Sequence, residues 1–170
     1  HGKILIGKDT RPSCDFIEAS LSAGIMSEGC DVLSAGILST PGIAIISKLL
    51  DTDGAIVISA SHNPLEDNGI KIFKKGGIKL TDSEEKDLED IILSDSRINR
   101  EEKTGLEIGR QKIISDSLDI YIDYITKGFK FDLNGLKIAV DCANGATSVA
   151  VPKVLSMFGA EVISFNTDIK

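Results

Sequence analysis

The chain has 170 residues, 42% of them hydrophobic and 5% aromatic, and a formal net charge of −7. That length holds one domain and part of a second. The acidic balance argues against a nucleic-acid backbone or a membrane as partner, since both call for surplus Lys and Arg, but leaves small anionic ligands open because those answer to local charge.

The run from Lys3 to Gly7 predicts a strand, followed by the polar loop "KDTRPS". Asp15 with Glu18 forms a capping-box pattern, Ile17, Leu21 and Ile25 recur at helical spacing, and Gly29 ends that helix. "CDVLSAG" reads as the next strand. Thr40 is placed to cap a helix with Pro41 as its first residue, running to about Leu50. Strands are predicted over Gly54–Ser59 and Ile70–Phe73. A second capping box, Thr81 with Glu84, opens an acidic helix to about Leu93.

Residues 94–112 read as an exposed connection with room for one short strand. Ile114, Leu118, Tyr121, Ile122 and Ile125 mark one amphipathic helix face that Gly128 closes. "KFDLNG" reads as a linker, so the predicted organisation is one domain over 1–130 and the beginning of a second over 131–170. In the second, "LKIAVD" is a strand, "CANGAT" a glycine-bearing turn, and a helix with Pro152 as a kink or late start runs to Phe158 before the strand "AEVISF". This unit echoes the first: strand, Asp (Asp9, Asp141), helix, Gly (Gly29, Gly159), strand. The class expected is α/β.

Cys14, Cys30 and Cys142 are odd in number and scattered, as in a chain whose thiols stay reduced in a reducing cytoplasm. No stretch approaches the ~18 apolar residues of a membrane span, and no signal peptide opens the chain. His1 stands where an initiator Met is absent and the last residues follow a strand directly, which reads as a piece of something longer.

The chemistry concentrates in "VISASHNPLEDNGIKIF", residues 57–73. A buried-looking strand delivers Ser59, Ser61, His62 and Asn63 into a turn stopped by Pro64, and Asn68-Gly69 supplies a tight turn tolerant of positive φ. A serine hydroxyl needs a base, or a charged electrophile held by cations. His62, Lys71, Lys74, Lys75 and Lys79 are near in sequence, and Lys8 and Arg11 belong to a neighbouring loop. A cationic loop set around a serine points to phosphoryl chemistry more than acyl transfer. A hydrolase triad fits poorly, because Ser61 and His62 are adjacent and adjacent residues of an extended strand face opposite ways. Zinc ligand spacing, a Walker motif and G-x-G-x-x-G are all missing from the sequence. Lys74, Lys75 and Lys79 read as solvated, and Asp141, Asn144 and Gly145 as a structural turn.

"SASHNP" followed by "DNGIK" resembles the phosphoserine loop of the α-D-phosphohexomutases. "LIGKDTR" (Leu5–Arg11) is similar to that family's arginine loop in its first domain, and "GLKIAVDCANGA" (Gly135–Ala146) to the opening of its second. The resemblance implies a phosphohexomutase-type first domain, a mixed sheet with flanking helices, plus the start of a second similar α/β domain. It implies that Ser61 carries a phosphoryl group whose phosphate also supplies one oxygen to Mg²⁺, that His62 and Asn63 line the phosphoserine, and that Lys71 and Arg11 flank the transfer site. With Ile58 before the motif, the wording is closest to the family's amino-sugar branch. That branch implies interconversion of glucosamine 6-phosphate and glucosamine 1-phosphate through glucosamine 1,6-bisphosphate, in a bacterial cytoplasm. The partner implied is a small phosphorylated amino sugar, with a homodimer left open as the assembly. A phosphomannomutase or phosphoglucomutase, or a non-catalytic phosphosugar-binding relative, are the alternatives. The sequence departs from the family pattern at Ser39 (usually proline), Gly42 (usually alanine) and Leu65-Glu66 (usually more aromatic). The three-aspartate metal loop, the sugar-selecting loop and the phosphate-gripping last domain are expected beyond Lys170, and a Gly-Thr-Asp-Gly strand before His1, so the chain alone is expected to be inactive.

Overall fold

The computed structural model describes residues 1–94 and 103–169. Three short apolar segments form the parallel centre of a sheet: β1 (Lys3–Lys8), β2 (Asp31–Ile37) and β3 (Gly54–Ile58). The order β5-β4-β3-β1-β2-β6 is completed by β4 (Ile70–Lys74) and β5 (Ile78–Lys79), both antiparallel to their inner neighbours, and by β6 (Gln111–Ile113), parallel to β2. The sheet is therefore mixed, with helices on both faces.

The two faces follow from strand alternation. Leu5, Ala35, Ala55, Val57 and Phe73 form one core with Leu38, Ile43 and Ile46, the last two on α2 (Thr40–Leu49). Leu118, Ile120 and Tyr121 of α4 (Ser117–Gly128) pack against the same core. Ile6, Val32 and Ile58 point the other way, where Cys14, Ile17, Leu21 and Ile25 of α1 (Ser13–Ser27) cover them. β2 lies on one side of β1 and β3 on the other, so right-handed crossovers put α1 and α2 on opposite faces. Residues 137–165 form a second unit: β7 (Lys137–Asp141) parallel to β8 (Glu161–Phe165), joined by α5 (Ala150–Met157).

The echo between the two units extends to individual hydrogen bonds. Gly29 (φ +82°) and Gly159 (φ +98°) both take the left-handed conformation after their helices. Gly29 N–H reaches Met26 O and Cys30 N–H reaches Ile25 O; Gly159 and Ala160 repeat this with Ser156 and Leu155. In each unit the following acid opens its strand by donating its N–H across the sheet, Asp31 to Gly2 O and Glu161 to Leu136 O.

Several local expectations change. The Asp15–Glu18 capping box does not form: α1 starts at Ser13 after Pro12, and Glu18 turns inward to Lys8 and to the Ser34 hydroxyl. The cap of α2 is Ser39, one residue before Thr40, with Gly42 N–H 3.4 Å from its Oγ. Ser39 and Gly42, two of the departures from the family wording, thus belong to one cap, and a Cβ on Gly42 would come within 2.7 Å of Leu38. Pro152 sits in the first turn of α5, a late start and not a kink. The Thr81–Glu84 capping box of α3 (Asp82–Leu93) forms as read, and a hydrogen bond from Lys74 followed by those from Thr81 pulls the Glu84 carboxyl down to about 2. Within the exposed connection, β6 and a 3-10 turn at Gly105–Glu107 are present; its residues 95–102 lie outside the described ones.

Leu5, fully buried at the centre of the larger core, sets the first test: Leu5→Ala should lower unfolding stability by about 3 kcal/mol in urea titration, through lost burial and a residual cavity.

Candidate active site

Because β1, β2 and β3 run parallel, the loops after Lys8, Ile37 and Ile58 all emerge at one edge of the sheet. They border a cleft of about 610 Å³. Asp9, Thr10 and Arg11 come from the first loop, Ser39 and Thr40 from the second, and Ser59, Ser61, His62, Asn63 and Leu65 from the third. The fourth wall is the turn after β7, with Gly145 and Thr147 among its residues. Thr10 donates its hydroxyl to Asn144 O at 2.8 Å, tying that wall to the first loop.

Ser61 sits in a turn three residues past the end of β3, exposed, with φ +57°. That left-handed backbone costs a non-glycine residue energy and persists only where neighbours impose it. The imposing group is Arg11. Its guanidinium, part of a residue only 8% exposed, donates through Nη2 to Ser61 O (3.1 Å) and Asn63 O (2.8 Å), and through Nη1 to Pro64 O and Asp67 O (3.0 Å). Nε donates to the Asp9 carboxylate at 3.1 Å. All five donors are committed to holding the loop, and none is free to grip a phosphate.

Asp9 is the counter-charge. Burial alone would push its carboxyl up. Hydrogen bonds from Arg11 N–H, the Ser59 hydroxyl, the Cys14 thiol and Arg11 Nε outweigh that and hold it below the usual carboxylate range. Burial, opposed in part by Asn68, pushes the Cys14 thiol up, so it stays protonated and donates to Asp9. Ser59 accepts the Ser61 N–H at its hydroxyl oxygen, 3.1 Å away.

Of the site residues read from the sequence, Ser61, His62, Asn63 and Arg11 line this cleft. Lys71 stands on β4 opposite Val57 and donates its ammonium to Ser59 O at 2.6 Å, behind the serine loop. The other nearby cations are already partnered. Lys8 bonds Asp15 and Glu18, which together overcome burial and keep its ammonium above the ordinary lysine value. Lys74, Lys75 and Lys79 pair with Glu84, Asp51 and Glu85. Arg11 and Asp9, in mutual contact, are the Arg, Lys, Asp and Glu members of the described lining, so the cationic loop set expected around the serine is not assembled among the described residues.

Two further readings change. Neither Asn68 nor Gly69 has positive φ. Gly69 is needed because a Cβ there would lie 3.1 Å from Ser59 O, where the loop closes through Ser59 N–H to Gly69 O. Ser61 and His62 follow a turn and not an extended strand, and both reach the same cleft, so the argument that they face opposite ways does not hold. Sequence reasoning missed Asp9, placed Ser59 in the loop without a role, and read Asn144 and Gly145 as a structural turn where the 143–147 segment walls the cleft. Adjacency of Asp9 to the arginine loop was a signal; for the wall there was none beyond the echo of the first unit.

Hydroxyls and one clamped arginine gathered at the ends of parallel strands place the cleft where α/β domains hold their ligand sites. Residues 1–99 match the family model described as "Phosphoglucomutase/phosphomannomutase, alpha/beta/alpha domain I", and the chain belongs to that family. It is 49% identical over 161 residues to a phosphoglucosamine mutase of Desulforamulus reducens, covering 95% of this chain and 36% of that protein. It is 46% identical over 165 residues to one of Carboxydothermus hydrogenoformans, covering 96% and 37%. A crystal structure of a phosphoglucomutase/phosphomannomutase family protein from Burkholderia thailandensis superposes with a TM-score of 0.79 at 26% identity, over 99% of this chain and 36% of that one. The chain thus spans little more than a third of the length of its relatives.

Arg11→Lys, with three donors in place of a planar five, should lower stability by about 2 kcal/mol and open residues 60–68 to limited proteolysis. For Asp9 the sign is set by its lowered folded pKa: the stabilisation is present above the ordinary carboxyl value and lost as pH falls through the folded one. The stability gap between the wild type and Asp9→Asn should therefore close as pH drops below about 4, measured by urea unfolding across pH.

Proposed function

We propose that this chain carries the phosphoserine of a phosphoglucosamine mutase, joined in the working enzyme to the remaining length of its relatives. The observation that carries the reading is Ser61: exposed, in a left-handed turn, on a loop clamped by a buried arginine at the rim of a cleft. The names of relatives 41–49% identical to the chain support the substrate class.

In the proposed reaction the Ser61 Oγ–P bond breaks as a new P–O bond forms to the free hydroxyl of glucosamine 6- or 1-phosphate, whose proton leaves to a base. The resulting 1,6-bisphosphate turns over, and its other phosphoryl group returns to Ser61. The whole is an isomerisation, reversible in either direction. His62 and Asn63 line the phosphoserine. Lys71, whose ammonium bonds the carbonyl of Ser59 two residues before Ser61, is the proposed group for charge stabilisation and for moving the hydroxyl proton. Arg11 contributes by fixing the loop and by its buried positive charge, since its donors are committed.

Mg²⁺ would use an oxygen of the Ser61 phosphate. Among the described residues no three His, Cys, Asp or Glu converge, so its other ligands are proposed to come from outside this chain. When bound, the ion offsets charge on the transferring phosphoryl oxygens. No described helix is long and apolar enough to cross a membrane. A cytoplasmic site in a bacterium and a role in cell-wall precursor supply follow from the proposed reaction, and a homodimer is compatible with it.

The family model, whose description covers glucose and mannose phosphates, supports a phosphomannomutase or phosphoglucomutase as the second reading. Assay of the full-length enzyme on the three sugar phosphates separates them. Intact-mass and peptide analysis should find one phosphoryl group on Ser61 after treatment with sugar 1,6-bisphosphate, and Ser61→Ala should lose activity by about 10⁴-fold or more. A protein that never takes up the group would be a binding relative. The 170 residues by themselves are expected to show no turnover.

A further inference from the structure

Ser59 is held at three points. Its N–H donates to Gly69 O at 2.8 Å, and its carbonyl accepts from Lys71 Nζ at 2.6 Å. Its hydroxyl oxygen accepts the Ser61 N–H at 3.1 Å. The residue is 8% exposed and the Asp9 side chain 13%. Asp9 is itself locked to the end of β3, its N–H reaching Ile58 O at 3.0 Å, and its carboxylate accepts from Arg11 N–H and Nε. Two lines of support thus meet at Ser61, one through the Ser59 hydroxyl to its amide and one from Asp9 through Arg11 to its carbonyl.

Ser61 is exposed, so side-chain packing cannot aim it; its direction depends on backbone anchors. Arg11 holds the Ser61 carbonyl and Ser59 holds the Ser61 N–H, one on either side of the Cα that carries the hydroxyl. The Arg11 anchor ends in turn on the largely covered Asp9 carboxylate.

We propose that Ser59 and Asp9 are positioning residues for phosphoryl transfer, fixing the Ser61 backbone so that its oxygen meets the incoming phosphoryl group in line. The proposal rests on the reading of Ser61 as the carrier. A transfer run in both directions from one perch is sensitive to aim, because a displacement of about 1 Å at the reacting atom costs on the order of 100-fold in rate. Removing the Ser59 hydroxyl leaves the Ser61 amide without its acceptor.

The test uses the full-length mutase containing this sequence, with steady-state kinetics and single-turnover phosphorylation of Ser61 by glucosamine 1,6-bisphosphate. Ser59→Ala should lower kcat and the single-turnover rate by about 10- to 100-fold while KM stays within about threefold. Ser59→Thr keeps the hydroxyl and should restore the rate to within about threefold of wild type. Asp9→Asn should slow both rates like Ser59→Ala, and the Ser59 pair decides the matter should that variant fold poorly. A Ser59→Ala enzyme with wild-type kcat beside an inactive Ser61→Ala enzyme would overturn the positioning role and leave the carrier reading standing. A Ser61→Ala enzyme with full activity would overturn the carrier reading itself.

Discussion

The serine loop keeps its shape because one planar cation sits beneath it. Arg11 contacts four carbonyls between Ser61 and Asp67 and anchors on Asp9. An exposed loop rich in small polar residues would otherwise sample many conformations, and a left-handed serine would be among the less populated. The desolvation cost of the buried Arg11–Asp9 pair is offset by the number of hydrogen bonds each ion makes. Residues that look catalytic in sequence thus divide into an exposed set at the cleft, Ser61, His62 and Asn63, and a buried Arg11 whose donors are all committed to the loop.

The sheet supplies the support's other half. Parallel β1 and β3 put Asp9 and Ser59 at neighbouring strand ends, so the distance between the two loops is set by strand spacing and by the β1–β3 register of Lys8 with Ile58. The antiparallel turn back into β4 brings Lys71 behind the loop to hold Ser59 from below. The second unit repeats the strand–helix–strand geometry and uses the turn after its first strand, in the position corresponding to the arginine loop, to wall the cleft. Thr10 to Asn144 is the hydrogen bond that joins the two corresponding turns.

Charge distribution explains how an acidic chain accommodates this chemistry. Lys8, Lys74, Lys75 and Lys79 are taken up by acids on α1, α3 and the turn before β3, which keeps them away from the cleft. On the proposed reading, a phosphoryl group at Ser61 meets the positive charge of Arg11 through the loop backbone, and the further neutralisation that phosphoryl transfer calls for is not supplied by the described residues lining the cleft.

The sequence by itself determined the elements and their order. Alternating β-branched runs, helical spacing at Ile17, Leu21 and Ile25, the Thr81–Glu84 box and the terminating glycines are local signals, legible because strand and helix periods are local properties of the backbone. It also marked Ser61 and its motif. Only the tertiary structure decided that Glu18 turns inward instead of capping α1, that Ser39 and not Thr40 caps α2, and that the left-handed residue is Ser61 and not Asn68 or Gly69. The role of Arg11 was likewise hidden, since a sequence lists a guanidinium's donors but not their acceptors. Those acceptors are carbonyls some 50 residues away, delivered by strand pairing across β1 and β3.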